Sequence, residues 1–139
     1  MINTTVKDYR RGWRRNNDAS AACKSPISEM LNFYSIECAL KYLHLKKLKL
    51  KDSNELQDNN IQLTHDIRQT IIDLRLEGVG LNNADVPNFR LKNTRNPLHI
   101  KQAHEAWRYG VEIEEEDQKK LKDWLQNASE LLKKEVLNT

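Results

Sequence analysis

Two arginines and two histidines lie within residues 95–110, which read RNPLHIKQAHEAWRYG. A histidine that takes the proton from a 2′-hydroxyl group and an arginine that holds the phosphate can together cleave RNA without a metal ion. Arg95 and His99 come nearest to such a pair. Only three residues separate them, however, and a helix cap at Asn96 would leave Arg95 outside the helix whose first turn holds His99. Arg95 and His99 are therefore candidate catalytic residues only if the protein is a ribonuclease.

A second set of polar side chains occurs at helical spacing or at a helix start, where the side chains could form a cleft or a binding surface. Its members are Glu37, Lys41, His44, His65, Asp66, His104, Arg108 and Tyr109. Each also has a structural interpretation, because an acid and a base one helical turn apart usually form only a modest stabilising contact. Both interpretations stay open. The spacing of the histidines supplies no complete set of zinc ligands, so we expect neither a metal nor another cofactor.

Residues 1–24 carry six basic residues and only two acidic ones, although the net charge of the chain is only +3. The segment YRRGWRRNN contains Arg10, Arg11, Arg14 and Arg15. Arginines that alternate with aromatic residues can hold phosphates and stack on bases, so this arm is a candidate contact for nucleic acid or an acidic partner. Tyr9 and Trp13 also fall on the apolar stripe of a first helix, which favours their burial against the rest of the protein.

The composition is typical of a soluble helical domain. Charged residues make up 31% of the chain and hydrophobic residues 38%, and no apolar run approaches the roughly 18 residues that a membrane span needs. The N-terminus lacks the apolar centre of a secretory signal. Cys23 and Cys38 do not make a disulfide framework. We therefore expect a cytoplasmic protein that does not enter a membrane.

Apolar residues recur at helical spacing along nearly the whole chain, and no segment alternates as a strand would. This pattern predicts an all-α fold, a largely antiparallel bundle of about five helices. The first predicted elements are a short helix from Ile2 to the polar segment NND, a central helix capped by Ser25 and a polar loop over 51–60. A third helix over 62–78, capped by Thr64 and with Leu63 on its stripe, is followed by an irregular connector over 79–95. The last two elements are a fourth helix over 98–109, capped by Asn96, and a final helix over 114–136. We predict one domain over residues 1–139, with a basic helix or arm over 1–24 and the bundle over 25–139.

Three segments, in this order, resemble the HEPN family (higher eukaryotes and prokaryotes nucleotide-binding domains). The first is FYSIECALKYLHL, in which an acid and a lysine lie one turn apart. The second is THDI, which opens the next helix. The third is AWRYGVEIEEEDQKKLKDWLQNASELLKKEV, in which Arg-Tyr and a short break precede a long final helix. Together they extend over roughly residues 25–136. The resemblance implies a HEPN-like antiparallel bundle that often forms a homodimer through its long helices. It also implies a role in toxin–antitoxin, phage-defence or inter-bacterial conflict systems, as a ribonuclease or as an inactive relative.

Catalytic HEPN proteins carry an arginine and a histidine separated by four to six residues, and no pair in this chain has that spacing. We therefore expect a non-catalytic HEPN-like binding protein, an immunity protein, antitoxin or accessory subunit whose partner is a protein, RNA or both. One alternative is a metal-independent ribonuclease that uses Arg95 and His99 in a dimer cleft. Another is an RNA-binding module that works through the N-terminal arginine arm.

Overall fold

A capping box sets the start of the first helix. The Asp8 backbone N–H donates to Thr5 Oγ1 at 3.1 Å, and the Thr5 N–H donates to the Asp8 carboxylate at 3.1 Å. In the computed structural model, which describes residues 2–61 and 65–139, this helix, α1, spans Val6–Ala22. The predicted short helix was therefore wrong at both ends. Ile2 precedes the cap and is exposed, and the helix continues through the NND segment because its later turns pack against the next helix.

The second helix, α2, spans Ile27–Leu48 and lies at the centre of the fold, as predicted. Its buried residues include Phe33, Ser35, Ile36, Ala39, Leu40, Tyr42, Leu43, His44 and Leu45. The predicted cap at Ser25 was wrong. Pro26 directly precedes the helix, and the Ser25 hydroxyl instead donates to Glu29 Oε2 at 2.7 Å.

Helices α1 and α2 are antiparallel and closely packed. Contacts between Ser20 and Ser28, and between Trp13 and Ser35, follow the two helices in opposite directions. Gly12 makes the close approach possible, because a Cβ atom at this position would lie 2.9 Å from Cys38 Sγ.

Two short helices follow α2. The segment predicted as a polar loop contains α3, Ser53–Asp58, because the Asp52 carboxylate caps it by accepting from the Glu55 N–H at 3.0 Å. Asp66 similarly caps α4, Ile67–Leu74, by accepting from the Gln69 N–H at 3.3 Å. Helix α4 ends at Leu74 and is followed by Arg75 in the left-handed conformation, so it is shorter than the predicted third helix, which was expected to end at Gly78. The predicted cap Thr64 and stripe residue Leu63 lie outside the described residues.

The connector is irregular, as predicted, but it extends further than expected. Leu98 forms an isolated antiparallel bridge with Phe89, so Asn96 does not cap a helix. A 3-10 turn over Ile100–Gln102 precedes α5, Ala103–Tyr109. The predicted end at Gly110 is confirmed, with φ at +70°.

The last helix, α6, spans Glu115–Leu137, close to the predicted bounds. It packs against α2, as do α1, α4 and α5. Within residues 2–61 and 65–139 there are six α-helices and no strand, which confirms the predicted all-α bundle with one more short helix than expected. None of the described helices has the length and apolar character needed to cross a membrane.

Candidate functional site

Side chains from α2, from the start of α4 and from α5 meet at one point on the bundle. Glu37 belongs to α2, and its side chain is only 15% exposed. His65 comes directly before the cap of α4, which places its ring against α2. Its Nδ1 lies 2.6 Å from Glu37 Oε2, within hydrogen-bond and ion-pair distance. His65 itself is about half exposed, so this pair joins a buried carboxylate to the surface.

His104 occupies the centre of the site and is only 4% exposed. Its ring is stacked on Phe33 with a centroid distance of 5.5 Å, and it contacts the His65 ring at 4.3 Å. His104 Nδ1 lies 3.3 Å from the Tyr34 hydroxyl. Tyr34 can donate to this nitrogen when His104 is neutral and carries its proton on Nε2.

Arg108 completes the arrangement from the next turn of α5. Its Nη2 donates to the Tyr34 hydroxyl, and its guanidinium lies 5.9 Å from the ring centroids of both Tyr34 and Tyr109. Residues four apart lie on the same helix face, which explains why His104 and Arg108 both reach α2. We call Tyr34, Glu37, His65, His104 and Arg108 the histidine cluster.

The burial of the cluster shifts the protonation of two members. Burial raises the pKa of Glu37, while the nearby charges of His65 and Lys41 act in the opposite direction. Burial also lowers the pKa of His104, and the positive charges of His65 and Arg108 lower it further. A neutral His104 is therefore favoured, which matches its position as an acceptor for Tyr34.

The remaining predicted cleft residues lie beside the histidine cluster. Lys41, His44 and Asp66 line a cavity of about 500 Å³ between α2 and α4, together with Lys101. Burial lowers the pKa of both Lys41 and His44. Glu37, Lys41 and His44 lie on one face of the unbroken helix α2. Glu37 contacts His65 on this face, and Lys41 and His44 line the cavity.

Arg95 and His99 are both exposed, and among the described residues no hydrogen bond or ion pair joins them. Leu98 lies between them and is fixed to Phe89 by two backbone hydrogen bonds of 2.7 and 3.0 Å. His99 has an extended backbone, so it does not occupy the first turn of a helix as predicted. The bridge to Phe89 prevents that turn from forming, and Arg95 and His99 stay separate from the histidine cluster.

The arginines of the N-terminal arm lie on the outer face of α1. Arg11, Arg14 and Arg15 are exposed, and Arg10 is half-buried. Trp13 is buried, as predicted, and Tyr9 is half-buried against the core. The arm therefore presents its positive charges to solvent, while the larger aromatic ring packs inside.

Sequence reasoning missed two residues with structural roles, Tyr34 in the histidine cluster and Arg90 in the connector. Tyr34 was not among the candidate residues, but its hydroxyl connects His104 with Arg108. Arg90 anchors the connector to α6, because its backbone N–H and its Nε both donate to Asp117 Oδ2, at 2.9 and 3.0 Å. An aromatic hydroxyl on an otherwise apolar stripe was the only available signal for Tyr34.

Within residues 2–61 and 65–139, no group of three or more histidine, cysteine or acidic side chains has the arrangement of a metal site. Comparisons of the chain with protein-family models, with curated proteins and with solved structures found no match.

Proposed function

We propose that this chain is a non-catalytic HEPN-like binding protein that contacts a protein partner, as an immunity protein, antitoxin or accessory subunit of a bacterial defence or toxin system. One observation carries the proposal. The three segments that resemble the HEPN family are far apart in the sequence, yet residues from each meet in the histidine cluster. These contacts support the proposal that the bundle shares the HEPN scaffold. Arg95 and His99, the candidate catalytic pair, stay apart from the histidine cluster.

The contacts within the cluster favour binding over catalysis. A general base must reach the proton that it removes, but His104 is only 4% exposed. One nitrogen of His65 is held by Glu37, and the Tyr34 hydroxyl lies between His104 and Arg108. The polar groups thus bind one another, which stabilises the junction of three helices instead of leaving free groups to act on a substrate.

The outer layer of the cluster has the character of a protein-binding surface. Tyr109 is 71% exposed and Arg108 is exposed beside it. Arginine and tyrosine contribute disproportionately to the energy of protein interfaces. The apolar side chain of Val111, just beyond the turn at Gly110, is 45% exposed. A partner that carries an acidic group for Arg108 would suit this surface.

We further propose a cytoplasmic location and a homodimer formed through the long helices, both of which rest on the HEPN resemblance. The two free cysteines agree with a reducing compartment, because neither forms a disulfide.

The partner is sought among the products of neighbouring genes. Each product is co-expressed with the tagged wild-type chain and with an Arg108→Ala/Tyr109→Ala variant, followed by affinity purification. A Gln57→Ala/Asp58→Ala variant is the matched control, since it alters two exposed residues of α3 that belong to none of the proposed contact surfaces. We expect one neighbour to co-purify stoichiometrically with wild type and with the control, and to be lost from the first variant. Equal retention by all three forms would refute the proposed surface.

A second candidate function is a metal-independent ribonuclease. The contact between His65 and His104 favours it, since two imidazoles 4.3 Å apart with an arginine nearby are the groups that acid–base cleavage of RNA uses. In this case His65 would be the accessible base, oriented by Glu37. Arg95 and His99 remain the alternative pair, and alanine substitutions at each pair would show which of them cleaves.

The third candidate, RNA binding through Arg10, Arg11, Arg14 and Arg15, is limited by the burial of Trp13, which removes its ring from base stacking. Phosphate contacts alone would remain, and such binding weakens steeply with salt. Affinity for RNA that does not change between 50 and 200 mM salt would exclude this mode.

A further inference from the structure

A polar cavity of about 430 Å³ lies where α1, α2 and α6 meet. It is lined by Asn17, Ser20, Ala21, Ser28, Glu29, Asn32, Lys122, Gln126, Ser129 and Glu130. Cavities of this size can hold a small organic molecule. None of these residues takes part in the histidine cluster, so the cavity is independent of the function proposed above.

Glu29 is the most unusual residue of this cavity, because it is only 3% exposed. Ser25 Oγ donates to its Oε2 at 2.7 Å. No lysine, arginine or histidine of the described chain lies within ion-pair distance of Glu29. A buried carboxylate is costly unless a cation or several donors surround it. The position in the first turn of α2 lowers this cost only in part.

Asn32 lies three residues further along α2, on the same face, and is 9% exposed. Its Oδ1 is buried and has no hydrogen-bond partner. Buried polar atoms of folded proteins almost always have a partner, so an unsatisfied amide next to a buried carboxylate indicates a missing donor group.

The neighbouring polar groups of the walls bind each other and leave Asn32 Oδ1 without a donor, while Glu29 Oε2 accepts from Ser25. The hydroxyls of Ser20 and Ser28 each donate to the other residue's carbonyl, at 2.7 and 2.9 Å. Ser129 Oγ donates to Asn17 Oδ1 at 3.2 Å and connects α6 with α1 across the cavity. These bonds hold the three helices in place around the opening.

The charge of the lining favours a cation. Two carboxylates, of Glu29 and Glu130, and one ammonium group, of Lys122, give the lining a net charge of −1. We propose that this cavity binds a small organic cation, an amine or guanidinium compound whose N–H groups pair with Glu29 and donate to Asn32. The charged nitrogen enters the cavity, whose α6 wall carries the second carboxylate, that of Glu130.

The test uses agmatine, which carries an amine and a guanidinium group, and butylamine, with 1-pentanol as the neutral control. Binding to the full chain is followed by isothermal titration calorimetry and by the amide chemical shifts of the three helices. We expect both cations to bind, with shifts at residues 17–32 and 122–130, and 1-pentanol to leave the spectrum unchanged.

Glu29→Gln removes the charge but keeps the shape and the bond from Ser25. It should weaken agmatine binding by about tenfold or more, since a hydrogen bond to a charged group contributes more than a neutral one. Glu77→Gln makes the same change at an exposed position and should leave the affinity unaltered. Circular dichroism confirms that each variant is folded. The proposal is overturned if neither cation binds at 10 mM, if 1-pentanol binds equally well, or if folded Glu29→Gln keeps the wild-type affinity.

Discussion

Acidification should destabilise this protein, and His104 should account for a measurable part of the effect. The folded-state pKa of His104 is lowered by burial and by the charges of His65 and Arg108. The unfolded chain therefore takes up a proton near the ordinary value of 6.5 while the folded protein does not. Its contribution to stability is complete well above pH 6.5 and is lost as the pH falls through that value, because protons then favour the unfolded state.

The size of the effect follows from proton linkage. Between pH 7.5 and 5.5, one histidine that stays neutral in the folded state lowers the free energy of unfolding by at most about 1.4 kcal/mol. His44 is 6% exposed with its pKa lowered by burial, so it acts in the same direction with the same upper limit. Glu37 acts in the opposite direction, because its pKa is raised and the folded protein takes up its proton first.

Urea unfolding followed by circular dichroism at pH 7.5, 6.5 and 5.5 measures these contributions. Wild type should lose stability over this range, and a His104→Gln variant should lose up to about 1.4 kcal/mol less than wild type. His99→Gln is the matched control, since His99 is exposed and its replacement should leave the pH dependence unchanged. A pH dependence of His104→Gln identical to that of wild type, or a wild type that becomes more stable at pH 5.5, would refute the reasoning.

Three further predictions concern packing and reactivity. Asp117→Ala should lower the free energy of unfolding in urea by about 1–3 kcal/mol, because the two N–H groups of Arg90 lose their acceptor. An unchanged free energy of unfolding would contradict the role of Arg90 in anchoring the connector to α6. A separate Gly12→Val variant should lower the free energy of unfolding by about 1–3 kcal/mol, since the valine side chain would collide with Cys38 Sγ and separate α1 from α2. A melting temperature equal to that of wild type would argue against this close packing. Burial raises the pKa of Cys38 to about 11, so iodoacetamide at pH 7.5 should modify exposed Cys23 before Cys38. Mass spectrometry measures the two rates, and faster modification of Cys38 would contradict its burial.

The long elements could be predicted from the sequence because one physical signal dominates each of them. The stripe that begins at Leu121 and ends at Val136 fixes α6, and Gly110 ends α5 through its left-handed conformation. The short helix α3 was missed since only Leu56 and the buried hydroxyl of Ser53 face the core, and so little apolar periodicity marks it.

The candidate site was harder to predict, because tertiary contacts override local patterns there. Leu98 fits a helix in the sequence, but pairing with Phe89 keeps its backbone extended. His65 and His104 were each recognised as candidates, and nothing in their spacing indicates that their rings touch. That contact depends on how α4 and α5 pack on α2, which a single sequence does not specify.

The central claim is that this protein acts by binding and not by cleaving RNA. The most direct test incubates the purified wild-type protein with end-labelled single-stranded RNA in EDTA, beside the His65→Ala and Arg95→Ala/His99→Ala variants. We predict no cleavage above the buffer control for any of the three proteins. Cleavage by wild type that is lost in either variant would contradict the claim and show which of these residues are needed for cleavage.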